Sequence, residues 1–167
     1  MKIIQKKVCL LGDFGVGKTS LVARFVTNAF PEKYLTTVGV KMDTKTVAIN
    51  DELQAKLILW DIAGESALNT KTSSYLRGSA GLIFVADGTR ENTLTSALQL
   101  KQEADNLLGA VPFVLLINKH DLIAEWDISE TVVGELKQKG WQVFYSSAKT
   151  GENVEQALLL LAQNLVG

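Results

Sequence analysis

The sequence predicts an α/β fold: a mainly parallel six-stranded sheet with one antiparallel edge strand and helices on both faces. Three observations predict it. Short, almost continuously apolar runs alternate with longer segments of helical periodicity, the pattern of βαβ units whose strands are covered on both faces. Val40–Ile49 and Gln54–Trp60 are separated only by Asn50-Asp51-Glu52-Leu53, too short for a crossover, so they must pair antiparallel. The chain has 167 residues, two prolines, and neither repeat nor low-complexity tract, which fits a single domain over 1–167.

Element by element, Val8–Leu11 reads as the first strand and Lys18–Asn28 as the helix after it. The antiparallel pair follows, with the apolar run Leu57–Trp60 in its second member. Leu82–Ala86 and Phe113–Ile117 are buried strands, separated by a helix over Thr93–Leu108. A helix over Ser129–Lys139 leads to the short strand Val143–Tyr145. In the last helix, Val154–Val166, the side chains of Val154, Ala157, Leu158, Leu161 and Leu165 share one face. Asn153 and Gln156 are spaced for a capping box at its start.

Composition narrows function. Seventeen basic and eighteen acidic residues give a net charge of −1, which argues against a dedicated nucleic-acid binder. The single cysteine, Cys9, lies in an apolar run and reads as a buried structural thiol; no disulfide can form within the chain. No apolar stretch is long enough to span a membrane, and no secretory leader is evident. Lys2 excludes N-myristoylation, and Leu165-Val166-Gly167 offers no cysteine for prenylation. A cytoplasmic monomer without direct membrane insertion is the expectation.

Gly12-Asp13-Phe14-Gly15-Val16-Gly17-Lys18-Thr19, followed by Ser20, matches G-x-x-x-x-G-K-[ST] between an apolar strand and an amphipathic helix. Glycines let the backbone curl until several N–H groups face one phosphate chain, and the helix N-terminus adds partial positive charge. Lys18 would neutralise the β/γ-phosphates and the Thr19 hydroxyl would ligate Mg²⁺. This motif points to a nucleoside triphosphate without choosing the base.

Asn118-Lys119-His120-Asp121 follows the strand Phe113–Ile117, at a carboxyl end where open α/β sheets bind ligands. The Asp121 carboxylate could accept from guanine N1–H and its 2-amino group, a pairing adenine cannot make. Alone, the four-residue pattern could also cap a strand or turn. Ser147-Ala148-Lys149 after Val143–Tyr145 strengthens the guanine reading, since a small residue lets a backbone N–H approach O6 of the base. His120, the variable member, is expected to face solvent.

With Asp61-Ile62-Ala63-Gly64 between them, these motifs resemble the Ras superfamily of small GTPases, the Rab branch most of all, from about Lys6 to Leu165. The resemblance implies a P-loop G domain binding GTP or GDP with Mg²⁺. It implies that Thr37 reaches Mg²⁺ and the γ-phosphate, Asp61 holds Mg²⁺ through water, and the Gly64 N–H touches the γ-phosphate. Phe30 would pack edgewise on guanine and Tyr34 would close over the nucleotide. Exchange factors, activating proteins and effectors are the implied partners, through the switch regions and the apolar trio Met42, Trp60 and Tyr75. Those three also fit a role in the core. Ser66–Thr72 departs from the Rab pattern, Met42 stands where an aromatic is usual, and Leu165-Val166-Gly167 carries none of the branch's tail cysteines.

Two departures bear on catalysis. Glu65 follows Gly64 where the family usually has a water-orienting glutamine; an ionised carboxylate accepts but cannot donate hydrogen bonds. Phe14 stands where relatives often carry glycine or serine, and its ring should crowd an attacking water or an arginine finger. Both favour slow intrinsic hydrolysis with Lys18, Thr37, Gly64 and Glu65 in the catalytic set. The opposing reading makes Glu65 a general base. A pseudo-GTPase that binds GTP without switching, and a P-loop kinase, are the alternative functions.

Overall fold

The computed structural model describes residues 1–31, 37 and 39–167. Tyr34 and its expected role over the nucleotide lie outside the described residues. Among them the chain forms β1 (Lys2–Gly12), α1 (Lys18–Thr27), β2 (Val40–Asn50), β3 (Leu53–Ile62), α2 (Thr70–Leu76), β4 (Gly81–Asp87), α3 (Glu91–Leu108), β5 (Phe113–Asn118), α4 (Glu130–Gln138), β6 (Val143–Tyr145) and α5 (Val154–Val166). A 3-10 turn occupies Ile123–Glu125. The strand order is β2-β3-β1-β4-β5-β6, with β2 antiparallel to β3 and every other pairing parallel. That is the sheet the alternation predicts.

Strand periodicity divides the core into two layers. Val8, Leu10, Ile83, Val85, Val114 and Leu116 point to one face and pack against Leu21, Val22 and Phe25 of α1 and Val154, Leu158 and Leu161 of α5. Cys9, Leu11, Phe84, Ala86, Leu115 and Ile117 point to the other. They meet Leu76 of α2, Leu94 and Leu100 of α3, and Val133 of α4. Cys9 is fully buried, and burial pushes its thiol pKa up.

Three elements differ from the sequence expectation. β1 begins at Lys2 rather than Val8, because Lys2–Lys7 pairs in parallel with the extended arm of β3. α2 arises in a polar stretch without helical periodicity: Asn69 accepts the Thr72 N–H at 2.9 Å, and Leu76 anchors the turn in the core. The expected capping box at α5 does not form. Asn153 takes a left-handed conformation, and its side-chain amide donates to the Tyr145 carbonyl at 2.8 Å, tying α5 to β6 instead.

Because β1, β3, β4 and β5 run parallel, their carboxyl ends lie along one edge. That edge carries Gly12, Asp61, Asp87 and Asn118. Chemistry-bearing residues separated by more than a hundred positions in sequence therefore meet there.

Candidate functional site

Between β1 and α1 the loop curls through Gly15 (φ 75°) and Gly17 (φ 102°). Gly17 is obligatory twice over: a Cβ there would lie 2.4 Å from the Asn118 side-chain nitrogen. Among the described residues no side chain caps α1, so no capping group there takes up its first-turn amides. Lys18 is 6% exposed, and its Nζ donates to the carbonyls of Gly12 (3.0 Å) and Asp13 (3.2 Å). Burial lowers its pKa to about 8, against the opposing pull of Asp61, Asp13 and Glu65. The Val16 side chain is fully buried in the core, which leaves its backbone to serve the site.

Three side-chain oxygens converge beside the lysine. The Thr19 hydroxyl donates to Asp61 Oδ2 (2.6 Å), the Thr37 hydroxyl donates to the same oxygen (3.1 Å), and the two hydroxyls touch. Asp61 Oδ1 is buried and has no hydrogen-bond partner among the described residues. Burial raises the Asp61 pKa, opposed by Thr19, Lys18 and Thr37. An all-oxygen donor set with an unsatisfied buried carboxylate oxygen is what a hard divalent cation suits. A narrow cleft of about 30 Å³ opens here, with Phe14, Ser20 and Gly64 on its walls.

Gly64 sits against the loop backbone: a Cβ would lie 2.4 Å from Phe14 Cα and 2.6 Å from Phe14 N. The Glu65 N–H donates to the Gly12 carbonyl at 3.0 Å. The Glu65 carboxylate turns toward α2. It accepts from the buried Thr72 hydroxyl and from the Asn69 amide at 3.3 Å. The Phe14 ring is 57% exposed.

A second cleft, of about 330 Å³, shares Gly15, Gly17 and Ser20 with the first and runs on to Phe30, Asn118, Lys119, Asp121, Ala148 and Lys149. Its polar walls are braced by one another and by the loop backbone. Asn118 donates to the Val16 carbonyl (3.0 Å) and accepts from the Ala148 N–H (3.2 Å). Lys119 donates to the Gly15 carbonyl (2.9 Å), and the buried Ser147 hydroxyl donates to Asp121 (2.7 Å). The loop carrying Ala148 and Lys149 is strapped to α1 by Arg24, which donates to both carbonyls at 2.8 and 2.5 Å.

Sequence reasoning missed Arg24, Asp87 and Arg90. Asp87, 1% exposed at the end of β4, pairs with Lys119 (3.0 Å) and Arg90 (3.1 Å). Burial alone would raise its pKa; hydrogen bonds from Thr89, Lys119 and Arg90 outweigh that and hold it below the usual value. A lone acid ending the apolar run Leu82–Ala86 was the available signal. His120 corrects another expectation. It does not simply face solvent: it stacks on Tyr145 (5.0 Å), meets Trp126 edge-on (4.9 Å) and pairs with Glu152 (2.9 Å).

Met42 lies directly across the β2–β3 pair from Trp60, and the Trp60 and Tyr75 rings meet at 6.3 Å. Met42 is 57% exposed, while Trp60 and Tyr75 are half-buried against the second core layer.

Residues 7–166 match the Ras family. The chain is 34% identical over 162 residues to the Ras-related protein Rab-13 of Canis lupus familiaris, covering 96% of this chain and 79% of that protein. It is 36% identical over 158 residues to the Ras-related protein SEC4 of Saccharomyces cerevisiae, covering 94% and 73% respectively.

Proposed function

The chain belongs to the Ras family of small GTPases, and from that premise we propose a Rab-like, GTP-binding switch with slow intrinsic hydrolysis, held by the residues of these two joined clefts. Guanine nucleotide would lie along both. Asp121 would accept from the base, Phe30 would pack beside it, and Ser147, Ala148 and Lys149 would close the pocket around Asn118 and Lys119. Backbone amides of Asp13 through Ser20 would face the phosphates, with Lys18 opposite the β and γ groups.

Mg²⁺ would be held by Thr19 and Thr37, with Asp61 acting through water; when bound, it neutralises charge on the β/γ oxygens. The unpartnered Asp61 Oδ1 and the two converging hydroxyls support this assignment. Thr37 and Gly64 flank the γ position. Losing that phosphate removes a partner from each, a change that proteins docking on Met42, Trp60 and Tyr75 could read. Exchange factors, activating proteins and effectors are the partner classes this implies.

The observation that carries slow turnover is the Glu65 carboxylate. Its oxygens accept hydrogen bonds from Thr72 of α2 and from Asn69, the residue that caps that helix, and an ionised carboxylate has no proton to offer an attacking water's oxygen. Phe14 adds bulk at the same mouth. Single-turnover GTP hydrolysis tests this: Glu65→Gln should raise the rate by about tenfold, a little over 1 kcal/mol of barrier. Rapid hydrolysis by the unaltered protein alone, lost in Glu65→Gln, would make Glu65 a general base and sink the slow-turnover reading.

A further inference from the structure

The peptide unit is planar and trans, so a carbonyl and the N–H of the next residue point in opposite directions. In the phosphate loop, three consecutive carbonyls are gripped from outside. Arg90 Nη2 donates to the Phe14 carbonyl (2.9 Å), Lys119 Nζ to that of Gly15 (2.9 Å), and Asn118 Nδ2 to that of Val16 (3.0 Å). The paired amides are those of Gly15, Val16 and Gly17, and Gly15 and Gly17 line both clefts. Two of the three clamps share one post. Asp87 Oδ2 accepts from Arg90 Nε (3.1 Å) and Lys119 Nζ (3.0 Å), while Asp87 Oδ1 accepts from the Thr89 hydroxyl (2.7 Å) and N–H (2.9 Å).

We propose that Arg90, held in place by Asp87, is a positioning residue that turns the Phe14–Gly15 peptide outward and so aims the Gly15 amide at the nucleotide's phosphates. This rests on the guanine-nucleotide reading of the site. Lys119 and Asn118 belong to the base-recognition motif and tie that motif to the loop. Arg90 stands outside every motif and adds a third clamp from the start of α3. Its side chain is 40% exposed and its backbone is extended, so replacing it leaves the core intact.

The test is release of bound GDP from the full chain, followed after adding excess unlabelled GDP, together with the ¹H–¹⁵N resonance of the Gly15 amide in the GDP complex. Losing the charge-assisted hydrogen bond to the Phe14 carbonyl, together with the Asp87 tether that aims it, should make Arg90→Gln release GDP about tenfold faster. Its Gly15 amide proton should move upfield while amides of remote turns such as Gly140 stay still. Arg90→Lys, which keeps the charge but not the fork, should fall between the two. Release at the unaltered rate overturns the proposal. So does faster release with an unmoved Gly15 resonance, which would make Arg90 a structural brace only. If the unaltered protein retains no GDP, the nucleotide reading itself fails. If it retains GDP and Arg90→Gln behaves identically, only this inference fails.

Discussion

The proposed base half of the site and the proposed γ-phosphate half are built on opposite plans. Around Asn118, Asp121 and Ser147, polar groups are already paired with one another, with the loop backbone or with Arg24. Around Lys18 and Asp61, groups are held in an environment that penalises their charge. The lysine is buried against two carbonyls, its pKa lowered, and the aspartate has an orphaned oxygen and a raised pKa. In the proposed switch the first plan would fix the pocket's shape and so favour one base over another. The second leaves groups whose best partners are a polyphosphate and a cation, so that binding there relieves a standing cost. A switch needs both: a half that holds nucleotide throughout and a half whose order depends on one phosphate.

The largest effect should come from the braced half. Asp121→Asn replaces two acceptor positions with a group that cannot satisfy both guanine donors, and guanine affinity should fall about 10³-fold or more by calorimetry. A loss of only a few-fold would erase the distinction between the halves. On the other side, Gly64→Ala drives a methyl into the Phe14 backbone. Overpacking of this kind costs about 1–3 kcal/mol wherever Gly64 is held against the loop; in the proposed switch only the γ-phosphate holds it there, so GTP affinity should drop about tenfold or more while the GDP complex, able to draw Gly64 back, stays nearly unchanged. Equal losses for both nucleotides would show that Gly64 serves the whole site.

Asp87 joins the halves, and its pH dependence sharpens the contrast. Its folded pKa is depressed, so its stabilisation is present above the unfolded value and is lost as pH falls through the folded one. Asp87→Asn should therefore be less stable by about 1–3 kcal/mol at neutral pH, with the gap closing below about pH 4, read from denaturant melts. A gap that widened on acidification would reverse the sign.

The smallest effect belongs to Lys18. With its folded pKa lowered to about 8, the ligand-free protein binds fewer protons than the unfolded chain from there up to the unfolded value, so its stability rises with pH across that window. Phosphates should restore the charge. Titrating GDP near pH 9 in buffers of different ionisation enthalpy should show uptake of up to about one proton, absent near pH 6.5.

How much of this was legible depended on where each constraint acts. The phosphate loop and the Asn118–Asp121 stretch announce themselves because a few adjacent residues carry the whole requirement: glycines at left-handed angles, a lysine, an acid at a strand's end. The two core layers follow from continuous apolar strands. Arg24 and Arg90 act through carbonyls 76 to 125 positions away, and Asp87 through Arg90 and the Lys119 side chain from another strand's end; no local pattern encodes such partners. α2 was unreadable for a related reason: a short polar segment becomes helical through the Asn69 cap and the packing of Leu76. His120 looked exposed because its aromatic neighbours come from β6 and from the residue following the 3-10 turn.

Paired titrations of GDP and ADP into the nucleotide-free protein test the central claim most directly. One GDP per chain is expected, with ADP weaker by about 10³-fold or more, because an adenine offers the Asp121 carboxylate neither of the N–H donors that guanine presents. ADP binding as tightly as GDP, or no heat from either, would contradict it.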